Sequence, residues 1–243
     1  MWRVVAVVVL AMAALASAEP ATRPALKIVC FGDSITGEQP GKAYQAQYLK
    51  YADLLQLMLE ARLGEGGVQV INSGWAGDTT YPKPNQQIPG AVARLQKDVI
   101  DHHPDIAVVL IGGNDKQDTD EARKLTGENL KQIALRLKEA KIRTLMLQYH
   151  PAMAIPSIKA KEAGKAWDHL AAKNPQIAEA AAAAGAALLD MGPPMKQAAQ
   201  AHGAAQLVDD VDGVHLRPRG EMIYARAIHA RLLELGWVGT ANR

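Results

Sequence analysis

The sequence predicts a three-layer α/β/α sandwich around a five-stranded parallel sheet. Three observations carry this. Five short runs are continuously apolar rather than alternating: Leu26–Phe31, Val68–Asn72, Ile106–Ile111, Thr144–Gln148 and Ala186–Asp190. Strands read this way when helices cover both faces of their sheet. Segments with apolar residues at helical spacing lie between the runs, and strand–helix alternation implies parallel pairing through crossovers. Right-handed crossovers leave few topologies, and five strands fit the doubly wound, flavodoxin-like order 2-1-3-4-5.

Taken in order, the chain begins with a segment apart from the fold. "MWRVVAVVVLAMAALASA" carries one charge, Arg3, then an apolar run, then the small residues Ala16-Ser17-Ala18. That is the layout of a secretory signal peptide, with cleavage expected after Ala18 and an uncleaved anchor as the alternative. The run is too short to span a bilayer comfortably. Residues 19–243 then form one domain. Residues 43–63 predict a helix with Tyr48, Tyr51, Leu55, Met58 and Leu59 on one face and Gly64 as its stop. Residues 91–101 group Val92, Leu95 and Val99, and residues 120–140 group Leu130, Ile133, Ala134 and Leu137. The alanine-rich stretch from 178 predicts a helix stopped at Gly185. A last helix aligns Tyr224, Ile228, Leu232 and Leu235 before Gly236.

Composition excludes several classes. The net charge is +2, which gives no case for nucleic acid or an anionic membrane surface. The single cysteine, Cys30, lies inside the first apolar run and can form no internal disulfide, so the fold rests on its core. Once the signal is removed, no segment calls for integral membrane association.

In doubly wound sheets the site lies at the carboxyl ends of the strands. Small and polar residues gather there. Gly32-Asp33-Ser34-Ile35-Thr36 follows the first strand, "NSGWAGDTT" (72–80) the second, and Gly112-Gly113-Asn114-Asp115 the third. Asp212-Gly213-Val214-His215 precedes the last helix. A serine hydroxyl needs a base to become a nucleophile, and imidazole can take a proton near neutral pH. Asp212 is close enough to hold the second ring nitrogen of His215. Acyl transfer also needs donors for an oxyanion. Backbone N–H groups at Ser34 and in the second loop, with the amide of Asn114, would supply them.

These four blocks, in this order, resemble the GDSL, or SGNH, hydrolase family from about Lys27 to about Leu235. The resemblance implies an SGNH-hydrolase fold, Ser34 as nucleophile and first oxyanion donor, Asn114 as an oxyanion donor, and Asp212 and His215 as orienting acid and base. It implies a glycine N–H from the second block, where Gly77 is the better match and Gly74 the rival. Leu216 departs from the family pattern, in which proline commonly follows the histidine. The G-x-S-x-G elbow of α/β-hydrolases is absent, because Thr36 stands where its second glycine would be.

Among the remaining candidates, Trp75, Tyr81 and His150 could touch substrate, with packing of Trp75 under its own loop and of His150 within its loop as the alternatives. Asp33 and Asp115 read as acids bracing their loops. His102 and His103 lie at the opposite end of the sheet, and His169, His202 and His229 fall on expected helices. Asp209 and Asp210 lack the three-residue spacing to His215. No histidine pair shows metal-site spacing, and no cofactor is expected. The resulting expectation is a secreted or periplasmic serine esterase acting on a small-molecule or glycan-linked ester. An acyltransferase sharing the acyl-enzyme is the close alternative, and a flavodoxin-like binding module the alternative of another class.

Overall fold

Parallel β-strands without polar gaps need cover on both faces, and the computed structural model has that form. It describes residues 26–37, 48–116, 118–155, 170–210 and 212–239. The strands are β1 (Leu26–Gly32), β2 (Val68–Gly74), β3 (Ile106–Leu110), β4 (Arg143–Gln148) and β5 (Ala187–Asp190). All pair in parallel, in the order β2-β1-β3-β4-β5. The central β3 is buried along its whole length. The expected signal segment, the start of the first expected helix and His169 lie outside the described residues.

Six α-helices are described: α1 (Tyr51–Leu63), α2 (Ala91–Asp98), α3 (Asp120–Glu139), α4 (Asn174–Ala184), α5 (Gly192–His202) and α6 (Pro218–Glu234). α1 and α5 meet α6 on one face, while α2 and α4 meet α3 on the other. Thr119 caps α3, its hydroxyl accepting the Ala122 N–H at 3.1 Å. Gly185 ends α4 with φ +68°, the left-handed stop anticipated from the alanine run.

One expectation needs correction, and one helix was not read from the sequence. The first helix begins at Tyr51, so Tyr48 lies before it. Lys50 is extended there, and its N–H donates to the Asp53 carboxylate at 2.9 Å, which fixes the start. Helix α5, which opens on Gly192-Pro193-Pro194, is not among the helices expected from the sequence. Prolines in a first turn cost no intrahelical hydrogen bond, and the helix starts through them. Among the described residues no helix is long and apolar enough to cross a membrane.

The register fixes where the loops emerge. Gly32 ends β1 opposite Gly74 of β2 and Leu110 of β3. The loops after these three strands therefore leave side by side at one edge of the sheet.

Candidate active site

Three loops and the segment before α6 build the site. After Gly32 the chain turns tightly, with the N–H groups of Thr36 and Gly37 both donating to the Asp33 carbonyl at 3.1 and 3.0 Å. This turn raises Ser34 at the sheet edge. Its hydroxyl oxygen lies 2.8 Å from His215 Nε2. On the other side of the ring, Nδ1 lies 2.5 Å from Asp212 Oδ2. The second oxygen of Asp212 accepts the N–H groups of Val214 and His215 at 2.8 and 2.9 Å, an Asx-type turn that holds acid and base on one short loop. Burial would raise the Asp212 carboxyl. The hydrogen bond and charge of His215, with the two backbone donors, outweigh it, and the net shift is downward. The rival acids take other partners: Asp209 donates its N–H to the His215 carbonyl, and Asp210 pairs with Arg217 at 3.1 Å.

The second loop separates the two glycines. The Gly74 N–H donates to Asn72 Oδ1 at 3.0 Å. Gly77 has φ +76°, a left-handed conformation that suits glycine, and its N–H has no acceptor among the described residues. The same holds for the N–H of Ser34. Asn114 lies beside this loop, one hydrogen of its amide reaching the Asp78 carbonyl at 3.0 Å. An amide carries two hydrogens, so one donor remains.

Behind these residues lies a buried polar frame that the sequence reading largely missed. Asp33 is fully enclosed. Its oxygens accept from the Tyr149 hydroxyl at 2.6 Å and the Ile35 N–H at 3.0 Å. Burial pushes its carboxyl up to about 6, against the lowering effect of those two donors. The Tyr149 oxygen also accepts the Gly113 N–H at 3.0 Å, so one phenol ties the serine loop to the Asn114 loop. Gly113 must be glycine for this approach, since a Cβ there would lie 2.8 Å from the tyrosine ring. The Lys173 ammonium donates to the Gly113 carbonyl at 3.1 Å, and its burial lowers its pKa to about 8. Arg94 on α2 pairs with Asp78 at 2.7 Å and donates to the carbonyls of Gly32 at 2.7 Å and Ser73 at 2.8 Å. Asp115 accepts from the N–H and hydroxyl of Thr80 at 2.8 and 2.5 Å. Asp33 and Asp115 brace their loops, as expected. Arg94 was visible in principle, as a charge on the buried side of α2 between Ala91 and Leu95. Tyr149 and Lys173 carry no comparable pattern.

The three substrate-contact expectations divide. Trp75 is half-buried, and its indole N–H has no acceptor among the described residues. Tyr81 is half-exposed, and its hydroxyl accepts the Lys116 N–H at 3.1 Å. His150 takes the packed alternative: only 1% exposed, it has Nδ1 2.6 Å from the Tyr224 hydroxyl. Burial, the largest effect, lowers its pKa to about 4, so the ring is neutral at ordinary pH. Among the described residues no group of three or more His, Cys, Asp or Glu side chains is placed to hold a metal ion.

An α/β/α sandwich with a serine, a histidine and an aspartate in hydrogen-bonded line at its strand ends has the form of an acyl-ester hydrolase. The chain belongs to the GDSL-like lipase/acylhydrolase family, whose model matches residues 30–223. No curated protein matches it in sequence. Several solved structures share its fold. One is LAE5, an α/β hydrolase from the metagenome of Lake Arreo, Spain, with 23% identity and a TM-score of 0.65, covering 90% of this chain and 98% of its own. Another is Axe2, an acetylxylan esterase from Geobacillus stearothermophilus, with 22% identity and a TM-score of 0.63, covering 91% and 99%.

Proposed function

We propose that the protein is an exported serine esterase that cleaves a carboxylic ester through an acyl-enzyme. The observation that supports it most is the unbroken line from Asp212 Oδ2 through the His215 ring to the Ser34 hydroxyl, at 2.5 and 2.8 Å. In this reading His215 Nε2 takes the Ser34 proton as Oγ attacks the ester carbonyl carbon. Charge builds on the carbonyl oxygen, and the N–H groups of Ser34 and Gly77 and the free amide hydrogen of Asn114 receive it. The same imidazolium then protonates the leaving alcohol. Water repeats the sequence on the acyl-enzyme and releases the acid. Asp212 remains ionised throughout, in keeping with its lowered pKa, and holds the ring for both proton transfers.

Export rests on the N-terminal charge, apolar run and Ala-Ser-Ala site. The substrate class rests on that location and on the acetylxylan esterase among the structural relatives: a short acyl group, such as acetyl, on an extracytoplasmic glycan or small alcohol. The test is hydrolysis of p-nitrophenyl esters of increasing acyl length by the mature chain and by Ser34→Ala. We expect activity on the shortest esters and a loss of roughly 10³-fold or more in the variant. Equal activity in both proteins would overturn the mechanism.

A further inference from the structure

The loop after β2 does more than carry Gly77. Beyond Thr80 it bends back on itself, with Lys83 and Ile88 bridged, and walls a cleft of about 370 Å³. Tyr81, Lys83, Pro84, Asn85, Gln86 and Lys116 line it. The cleft adjoins the proposed oxyanion site through one contact: the Lys83 ammonium donates to the backbone carbonyl of Asn114 at 3.2 Å.

The charges on this wall are unequally engaged. Lys83 is half-buried, its ammonium 5.9 Å from the centre of the Tyr81 ring. Asn114 O is its sole hydrogen-bond acceptor among the described residues, so two of its three donors remain for another group. Burial lowers its pKa, which is the cost of holding an ammonium there without a carboxylate in contact. Lys116 is exposed and in no ion pair among the described residues. The nearby carboxylates are turned away from the cleft. Asp115 is committed to Thr80, and Asp78 to Arg94. Asp118, two residues past Lys116, is exposed and forms no part of the lining. What faces the cleft is one aromatic ring, two side-chain amides and two ammonium groups.

That combination recognises an anionic sugar. The ring offers a face for a pyranose, the amides meet hydroxyls, and the ammonium groups meet a carboxylate or phosphate. We propose that this cleft is a subsite for an acidic sugar, and that the ester is carried on that sugar or the one beside it. The proposal rests on the esterase reading of Ser34.

The test separates this subsite from the esterase chemistry by measuring binding without turnover. Ser34→Ala protein is titrated with oligogalacturonate, with glucose 6-phosphate and with a neutral xylo-oligosaccharide, by calorimetry and by NMR shifts. We expect an acidic sugar to bind roughly tenfold to hundredfold more tightly than the neutral one at low salt, with the gap narrowing as ionic strength rises. The two acidic probes show whether carboxylate or phosphate is preferred. Adding Lys116→Glu should remove most of the preference, while Lys131→Glu, the same charge change on α3, should leave it. Equal binding of acidic and neutral sugars, no binding of either, or equal effects of the two charge reversals would overturn the subsite. Failure of the wild-type chain to hydrolyse any ester would overturn the esterase reading instead, whatever the binding shows.

Discussion

Replacing Tyr149 by phenylalanine removes one oxygen and keeps the volume of the ring, so no cavity term enters. Two contacts are lost. The Asp33 carboxylate loses its donor at 2.6 Å, and the Gly113 N–H loses its acceptor at 3.0 Å. Both groups are buried, and a buried polar group left unsatisfied costs about 1–3 kcal/mol, more when it is charged. The expected loss is therefore about 3–5 kcal/mol at pH 8. Its pH dependence is the sharper test. In the intact protein the folded carboxyl of Asp33 already sits at about 6, above its ordinary 3.8, chiefly through burial. An acid whose folded pKa is raised contributes stability fully below pH 3.8, and that contribution disappears as pH rises through about 6. Tyr149 limits the rise, so its removal lifts the folded pKa further and carries the decline on to higher pH.

The gap between Tyr149→Phe and wild type should therefore shrink at pH 5 to about 1–3 kcal/mol, the cost of the unpaired Gly113 N–H, because Asp33 is largely protonated in both, and should widen by pH 8. Guanidinium unfolding followed by circular dichroism at the two pH values reads it directly. Ester hydrolysis should show a lower kcat with KM little changed, because the phenol aligns the Ser34 loop with the Asn114 loop without reaching substrate. A stability loss below about 1 kcal/mol at pH 8, or one no larger there than at pH 5, would refute the reasoning.

Three further outcomes follow from the same frame. Asp212→Asn should keep the fold and lower kcat by roughly 10³–10⁴-fold in the p-nitrophenyl assay, since an amide no longer fixes the tautomer of His215. Arg94→Met should cost about 3–5 kcal/mol in a denaturant titration, because it leaves the buried Asp78 carboxylate without its partner and the Gly32 and Ser73 carbonyls without donors. Glu221, wholly buried, lies 2.5 Å from Lys50 and accepts the Tyr51 N–H, yet burial raises its carboxyl from 4.5 to about 7. Its protonated form favours folding below pH 4.5, and that advantage is lost as pH rises through about 7. Thermal melts from pH 5 to 8 should show Glu221→Gln gaining relative to wild type.

The sheet was legible because buried parallel strands have a single reading: Ile106–Leu110 is apolar at every position, and nothing else suits five such residues between a His-His-Pro turn and a Gly-Gly turn. The site blocks were legible because strand ends expose them to chemistry, and chemistry restricts residue type. Tertiary contacts were not legible. Nothing near Tyr149 in sequence announces that its hydroxyl serves Asp33, 116 positions away. His150 stayed ambiguous for a related reason. It follows β4 on the productive edge, but strand direction does not specify which way the next side chain turns, and Tyr224 on α6 supplies an inward partner. The start of α1 was misplaced and α5 went unread on local punctuation, where one carboxylate cap and two first-turn prolines decide the outcome.

The position of the three bracing acids explains why the blocks have the composition they do. Asp33 precedes Ser34, Asp78 follows Gly77, and Asp115 follows Asn114. Each is buried, and burial raises the pKa of each. An isolated buried carboxylate is costly, so these positions would favour an apolar residue on stability alone. A carboxylate, however, accepts from two directions at once. Asp115 thereby fastens the third loop to the second at Thr80, Asp78 fastens the second to β1 through Arg94, and Asp33 fastens the first to the third through Tyr149. The ties close a ring beneath the three groups proposed to hold the oxyanion. Donors that must already point at a charge before it forms need such a frame, and loops of glycine and serine cannot supply it by packing. The acids in Gly-Asp-Ser, Gly-Asp-Thr and Asn-Asp therefore hold the shape of the loops whose neighbouring residues are proposed to react.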